Sequence, residues 1–272
     1  MQRPKTSLQP KICAASVAHL NAILVWLERE QHESGTSFSV NENTICEAQA
    51  GGELRVALDQ HTQEPIAFMI VLDEPKCPMI HILAVEAKRR GGGLGTILVS
   101  DFLQTAQARD ALGVYGQCRP ESSEPFWAKM GFEPIDPQLA GHDNRLSKPN
   151  WRAMLFGGRS VLPVGVTCAS MRIRLSHGDS DRPIAEDFLT SVAWSQAGWI
   201  LQTHFARCIP NPDVRVRVSL DETEISADKV KNIERIGGER ASPFIRVRIL
   251  DHSIAPHFRT ESAAERMVFT SP

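Results

Sequence analysis

The sequence predicts an α/β protein: a mixed, mostly antiparallel sheet flanked by helices over residues 1–157, followed by a second, β-rich domain over 158–272. Three observations carry this expectation. Two helical patterns precede three short strand-like runs in succession, which reads as a meander. A glycine-rich break then opens onto a further helical pattern, after which strand and helix patterns alternate. Beyond "GGRSVLP" the texture changes to separated β-like runs. With 272 residues, 42% of them hydrophobic, the chain is long enough to bury two medium cores.

In chain order, "ASVAHLNAILVWLEREQHE" places Val17, Leu20, Ile23, Leu24 and Leu27 at helical spacing with polar residues opposite. A second, short helix is expected at "ENTICEAQA", stopped by Gly51 and Gly52. The strand runs are "ELRVALD" (53–59), "PIAFMIVLD" (65–73) and "MIHILAV" (79–85), separated by the turn-rich "QHTQE" and "EPKCP". Leu94, Ile97, Leu98, Phe102 and Leu103 mark a helix from about 94 to 112, and "GVYGQCR" a strand after it. The short helix "SEPFWAKM" ends at Gly131, where a C-terminal glycine belongs. Strands at "FEPI" and "WRAMLF", joined by a polar loop, complete the first domain. In the second, "GVTCASMRIRL", "GWILQTHFARC", "DVRVRVSL" and "FIRVRIL" read as strands and "SADKVKNIERI" as a helical insert.

Composition removes several function classes. A net charge of -2 leaves no global field to drive the chain onto nucleic acid or an anionic membrane, so any anion site must be local. The six cysteines have no C-x-x-C spacing and read as free thiols of a reducing, cytoplasmic compartment; no metal site is expected. His252 and His257 flank a proline and read as loop histidines. The longest wholly apolar run, "IAFMIVL" (66–72), is far too short to span a bilayer, so a soluble protein without a membrane partner is expected.

The glycine-rich break carries the chemistry. Arg90, Gly91, Gly92, Gly93, Leu94 and Gly95 stand between a strand and a helix, where unpaired backbone N–H groups and the positive end of the helix dipole converge. Glycines admit positive φ and remove the Cβ atoms that would hold a phosphate away, so a pyrophosphate fits. The spacing is neither G-x-x-x-x-G-K-[ST] nor G-x-G-x-x-G, which excludes ATP and NAD as natural ligands.

Arg90-Gly91-Gly92-Gly93-Leu94-Gly95 resembles, at every fixed position, the [RQ]-x-x-G-x-[GA] signature of the GCN5-related N-acetyltransferases (GNAT). "HILAVEAKRR" before it is similar to that family's fourth strand, and "EPFWAKMGFEPI" to its aromatic short helix followed by Gly-Phe. The likeness covers roughly residues 12–157; residues 158–272 have no counterpart. It implies transfer of an acetyl group from acetyl-CoA, or another acyl-CoA, directly to an amine acceptor. It also implies that backbone N–H groups from Arg90 to Thr96 surround the pyrophosphate. Leu83 and Val85 would offer main-chain groups to pantetheine, and Trp127 would border the cofactor tail.

Such a transfer needs a base for the amine and an acid for the leaving thiolate. The tyrosine that many family members place before Gly-Phe is Trp127 here, which cannot donate a proton usefully. Tyr115, the chain's one tyrosine, serves as the acid, or a water does, or the acid is dispensable. For the base, period-two alternation puts residues 79, 81, 83 and 85 on one face, where His81 alone titrates, and Glu86 at the strand end in solvent. A histidine simply packed in a sheet is the competing reading. Two alternatives remain open for the whole chain: a non-catalytic acyl-CoA-binding scaffold or sensor, and an acetyltransferase acting on a nucleic-acid-borne group.

In the second domain Arg172 and Arg174, Arg215 and Arg217, and Arg246 and Arg248 each share a strand face. As neighbours they would present six guanidiniums to phosphates or acidic protein; a half-solvated sheet with acidic cross-strand partners is the plainer reading. This domain is expected to serve acceptor recognition or homodimerisation.

Overall fold

In the computed structural model, residues 10–140, 145–156, 168–178, 183–184, 188–195, 198–201, 206–220, 223–236 and 238–247 are described. Arg248, His252, His257 and the "GGRSVLP" connection lie outside them. The chain divides into two units, residues 1–133 with 150–154, and residues 134–149 with 155–272. The sequence had suggested a border after 157; segment 134–149 instead packs with the later residues. Leu139 lies in their apolar core, and the Asn211 N–H donates to the Leu139 carbonyl at 3.1 Å.

The first unit runs β1 (Lys11–Ala14), α1 (Val17–Ser34), α2 (Glu42–Ala50), β2 (Leu54–Leu58), β3 (Pro65–Leu72), β4 (Met79–Val85), α3 (Leu94–Ala108), β5 (Gly113–Gln117) and α4 (Glu124–Lys129). There follow β6 (Glu133–Pro134), α5 (Pro137–Ala140) and β7 (Trp151–Leu155). One sheet takes the order β1-β2-β3-β4-β5-β7-β6, antiparallel from β1 to β4 and parallel between β4 and β5. This is the expected mixed, mostly antiparallel α/β fold. Helix α1 starts at a reciprocal cap: the His19 N–H donates to Ser16 Oγ and the Ser16 N–H to His19 Nδ1, both at 3.2 Å. It stops at Gly35, whose φ of 73° is left-handed. Strand β1 and helix α5 escaped the sequence reading, because four-residue elements are too short to show a period.

Helices cover both faces of the sheet. Leu20, Ile23, Trp26 and Leu27 of α1 and Ile45 and Ala48 of α2 form a core with Phe68, Ile70, Ile82 and Ala84. On the other face Leu98 of α3 meets Ala57 and Ala67, with Leu83, Val85 and Leu94 packed against them. Pairing of β3 with β4 slips between Ile70 and Val71: Ile82 faces Ile70 and Ile80 faces Val71, so His81 has no partner on β3. This bulge corrects the alternation argument. Met79 aligns with Leu72 on the Ile70 and Ile82 face, whereas Ile80 joins the face of Leu83 and Val85.

The second unit adds β8 (Cys168–Ser176), β9 (Phe188–Ser195), β10 (Gly198–Leu201), β11 (Ala206–Cys208), β12 (Arg215–Leu220), β13 (Thr223–Lys229), β14 (Gly238–Ala241) and β15 (Phe244–Val247). They form a five-stranded sheet, β10-β9-β8-β12-β13, and a three-stranded one, β11-β15-β14. "GWILQTHFARC" is thus two strands in different sheets. The expected helical insert is strand β13 followed by a 3-10 turn at Val230–Ile236. Two of the arginine strands are neighbours, with Arg174 opposite Arg217. The third is not: Arg246 belongs to the small sheet, is buried, and bonds Glu239 at 2.6 Å. A six-guanidinium face is therefore ruled out, and Arg217 also has the acidic partner Glu224 at 3.6 Å.

Cys13, Cys46, Cys77, Cys118 and Cys208 are free thiols. Burial pushes Cys77 up from 9.0 to about 12, helped by the Glu74 carboxylate that accepts its S–H at 3.3 Å, and burial alone does the same for Cys208. Each keeps its proton when folded and loses it around pH 9.0 when unfolded, so stability falls as pH climbs from there towards 12. At pH 8 a thiol-labelling time course read by peptide mapping should modify Cys13 and Cys46 and spare Cys77 and Cys208 until the chain unfolds. Among the described residues no helix is long and apolar enough to cross a membrane, and no acidic, histidine and cysteine cluster could hold a metal.

Candidate functional site

Between β4 and α3 the backbone presents a run of free donors. The Arg90 N–H bonds the Ala87 carbonyl at 3.3 Å, and the next N–H to find an acceptor is that of Ile97, on Gly93 O at 3.0 Å. Among the described residues none of the N–H groups of 91–96 has a partner within the protein. Gly91 and Gly93 hold φ of 79° and 81°, and a Cβ at either would meet nothing within 4 Å. This loop leads into the first turn of the fifteen-residue α3, whose dipole adds partial positive charge. An anion is what such a socket binds.

The arginine that opens the motif points elsewhere. Its Nε donates to Val85 O at 3.0 Å and its NH2 group to Glu30 at 2.8 Å. With its own N–H also engaged, Arg90 anchors the loop, and the donor run begins at Gly91. Glu30 escaped the sequence reading. The signal was present: it continues the Ile23, Leu27 stripe of α1 by one more turn, so it is a carboxylate on an apolar face. Glu86, expected in solvent, is instead mostly covered and bonded to Arg29 at 2.6 Å. Arg89 bonds Asp59 at 2.9 Å. The His61 and Thr62 N–H groups, with Arg89 nearby, hold the Asp59 carboxyl below its usual range.

Beside the loop the sheet opens. Strands β4 and β5 pair only at Met79–Tyr115 and Ile80–Gly116, so residues 82–85 have no strand partner on that side. Leu83 and Val85 are half-buried there, on the α3 face. His81 is exposed at the bulge, and Tyr115 lies half-buried on β5, its ring 6.0 Å from that of Trp151. Trp127 is buried in the core of its unit, edge-on to Phe126 and Phe132 at 5.1 Å. The ring that reaches the first turn of α3 is Phe126: a Cβ on Gly95 would stand 3.4 Å from it and 3.8 Å from Leu83. Leu94, Gly95 and Thr96 are half-buried, while Gly91, Gly92 and Gly93 are exposed.

The profile of the acetyltransferase (GNAT) family matches residues 20–132. Among solved structures, the GNAT family N-acetyltransferase YhbS from Escherichia coli, in complex with CoA, is similar at 17% identity and a TM-score of 0.43, over 57% of this chain and 85% of that one. Ard1 from Thermoplasma volcanium gives 15% and 0.41, over 54% and 98%. Tetrahymena GCN5 gives 13% and 0.41, over 56% and 99%. No curated protein matches the chain significantly. Fold order, glycine loop and family profile coincide on the same residues, and the segment 20–132 is accordingly a domain of the acetyltransferase (GNAT) family.

Proposed function

We propose that the first unit is an acyl-CoA-dependent N-acetyltransferase, moving an acetyl group from acetyl-CoA to an amine acceptor by direct transfer. The observation that carries this reading is the run of unpartnered N–H groups at 91–96, next to the gap where β4 leaves β5. Those N–H groups would hold the pyrophosphate, and the main chain of Leu83 and Val85 the pantetheine arm. Acetyl-CoA supplies a thioester; the chain supplies position and proton transfer. Calorimetry tests the reading. Binding of acetyl-CoA and CoA in the micromolar range is expected, and failure of both at millimolar concentration would refute it.

His81 is the base of this proposal. Its side chain is exposed on an unpaired bulge residue, open to an incoming amine, and an imidazole nitrogen can take up the amine's proton. His81→Gln should lower kcat roughly 100-fold or more with an unchanged Kd for acetyl-CoA, measured by thiol release in the presence of an amine panel. Equal rates would assign proton removal to water. Tyr115 is the acid of the same scheme.

The burial of Trp127 at the position where a proton donor would stand favours a second reading, a CoA-binding scaffold without turnover. CoA binding with no thiol release against amines, peptides and RNA would select it. The acceptor class, a nucleic-acid-borne one included, is separable by the same panel; deletion of the second unit, which should leave CoA binding intact while abolishing transfer or self-association, tests a role in acceptor recognition or in a homodimer.

A further inference from the structure

The segment that leads from β4 into the glycine loop is held at successive points. The Glu86 N–H donates to the Ile66 carbonyl at 3.0 Å, and its carboxylate accepts from Arg29. The Ala87 N–H donates to Glu30 Oε1 at 2.5 Å. Arg89 reaches Asp59, at the end of β2, and Arg90 reaches Glu30 Oε2. Adjacent residues of α1, Arg29 and Glu30, thus straddle the segment from the same helical turn. Only one carboxylate among these contacts takes both a main-chain and a side-chain donor from the segment, and it is also the most buried: the Glu30 side chain is 7% exposed.

We infer that Glu30 is a positioning residue for acyl-CoA binding, bridging the Ala87 N–H and the Arg90 guanidinium so that the N–H groups of 91–96 stay aimed outward. The inference rests on the proposed CoA site and names a residue of that site's support. Its logic is a conflict of charge and geometry. A carboxylate close to a socket for a pyrophosphate opposes the ligand by its charge, and a site built only for attraction would carry a neutral or basic residue there. Burial on the apolar stripe of α1 is a further penalty for the charged form. Both are offset by what the carboxylate does: its two oxygens fix two residues three apart, Ala87 and Arg90, and Arg90 in turn clasps Val85 through its Nε. All three pairs, Arg29–Glu86, Arg89–Asp59 and Arg90–Glu30, have exposed arginines and are weakened by salt; what sets Glu30 apart is that its carboxylate is the most covered of the three and also holds the Ala87 N–H.

Charge and geometry predict opposite outcomes for Glu30→Gln. If Glu30 acts only as a nearby negative charge, its neutral replacement tightens CoA. If it positions the loop, CoA weakens roughly 10- to 100-fold, because donors displaced by a fraction of an ångström no longer converge. The experiment compares full-length wild type, Glu30→Gln, Arg90→Met and the double variant by calorimetry with CoA and with acetylpantetheine, alongside amide hydrogen exchange of residues 86–97 without ligand. Expected are faster exchange in that segment, a loss of affinity for CoA and not for acetylpantetheine, and a double variant no worse than the weaker single one. Arg90→Met breaks the same bridge from its solvent-facing end, the Arg90 side chain being 60% exposed, and circular dichroism of both variants selects the folded one for the comparison. Unchanged CoA affinity and unchanged exchange in folded Glu30→Gln, or in Arg90→Met, overturn the inference while the CoA reading stands. A wild type that fails to bind CoA overturns both.

Discussion

Gly93→Asp is expected to abolish acetyl-CoA binding while leaving the chain folded. At φ 81° the residue sits in left-handed space, where a side chain costs about 1–2 kcal/mol. The space around its Cβ is empty, so nothing in the protein must move. On the proposed reading, the carboxylate adds a negative charge to the loop whose 91–96 N–H groups would hold the pyrophosphate. A drop of at least 100-fold in affinity is expected by calorimetry, with a melting temperature lowered by only a few degrees. Gly93→Ala separates the two effects, since it carries the strain without the charge and should lose far less affinity. If Gly93→Asp binds like wild type, the loop is only a turn.

Among the described glycines of the first unit, Gly116→Ala should cost the most stability. A Cβ there would lie 2.8 Å from the Ile80 carbonyl oxygen, a main-chain atom of β4 at the last paired position before the two strands part. Backbone cannot swing aside as a side-chain tip can, so the strands must separate or the methyl must displace the sheet. The penalty is about 2–3 kcal/mol, or roughly 5–10 °C in melting temperature. Gly52→Ala is the comparison: positive φ with nothing within 4 Å, hence strain without collision and a smaller loss. Equal thermal shifts for the two would mean that the β4–β5 junction yields freely.

Much of the first unit was legible because its signals are local. The apolar stripe of α1 falls within a single element, as do the meander strands and the glycine loop. The loop's unpartnered N–H groups follow from covalent structure, since glycine permits positive φ and a helix start leaves N–H groups unused. Trp127 was visible as a departure from a tyrosine for the same reason. Its burial was not visible, because α4 is too short for a period to say which of Phe126 and Trp127 turns inward.

In the first unit the sequence by itself determined the longer helices, the meander strands and the backbone donors left over at the glycine loop, since these depend on residues a few positions apart; the helix expected at 226–236 is a strand and a 3-10 turn, so local pattern did not decide the second unit. Only the tertiary structure decided what meets across the chain. Glu30 finds its partners 57 and 60 residues away, and nothing in the helix pattern names them. His81 leaves the regular alternation because pairing with β3 slips by one residue, and a slip of register is invisible to a period-two argument made on one strand. Two of the arginine strands became neighbours and the third joined another sheet, although all three carry the same local pattern. Strand pairing is chosen by burial across the whole unit, and identical local sequences satisfy it equally well in different places.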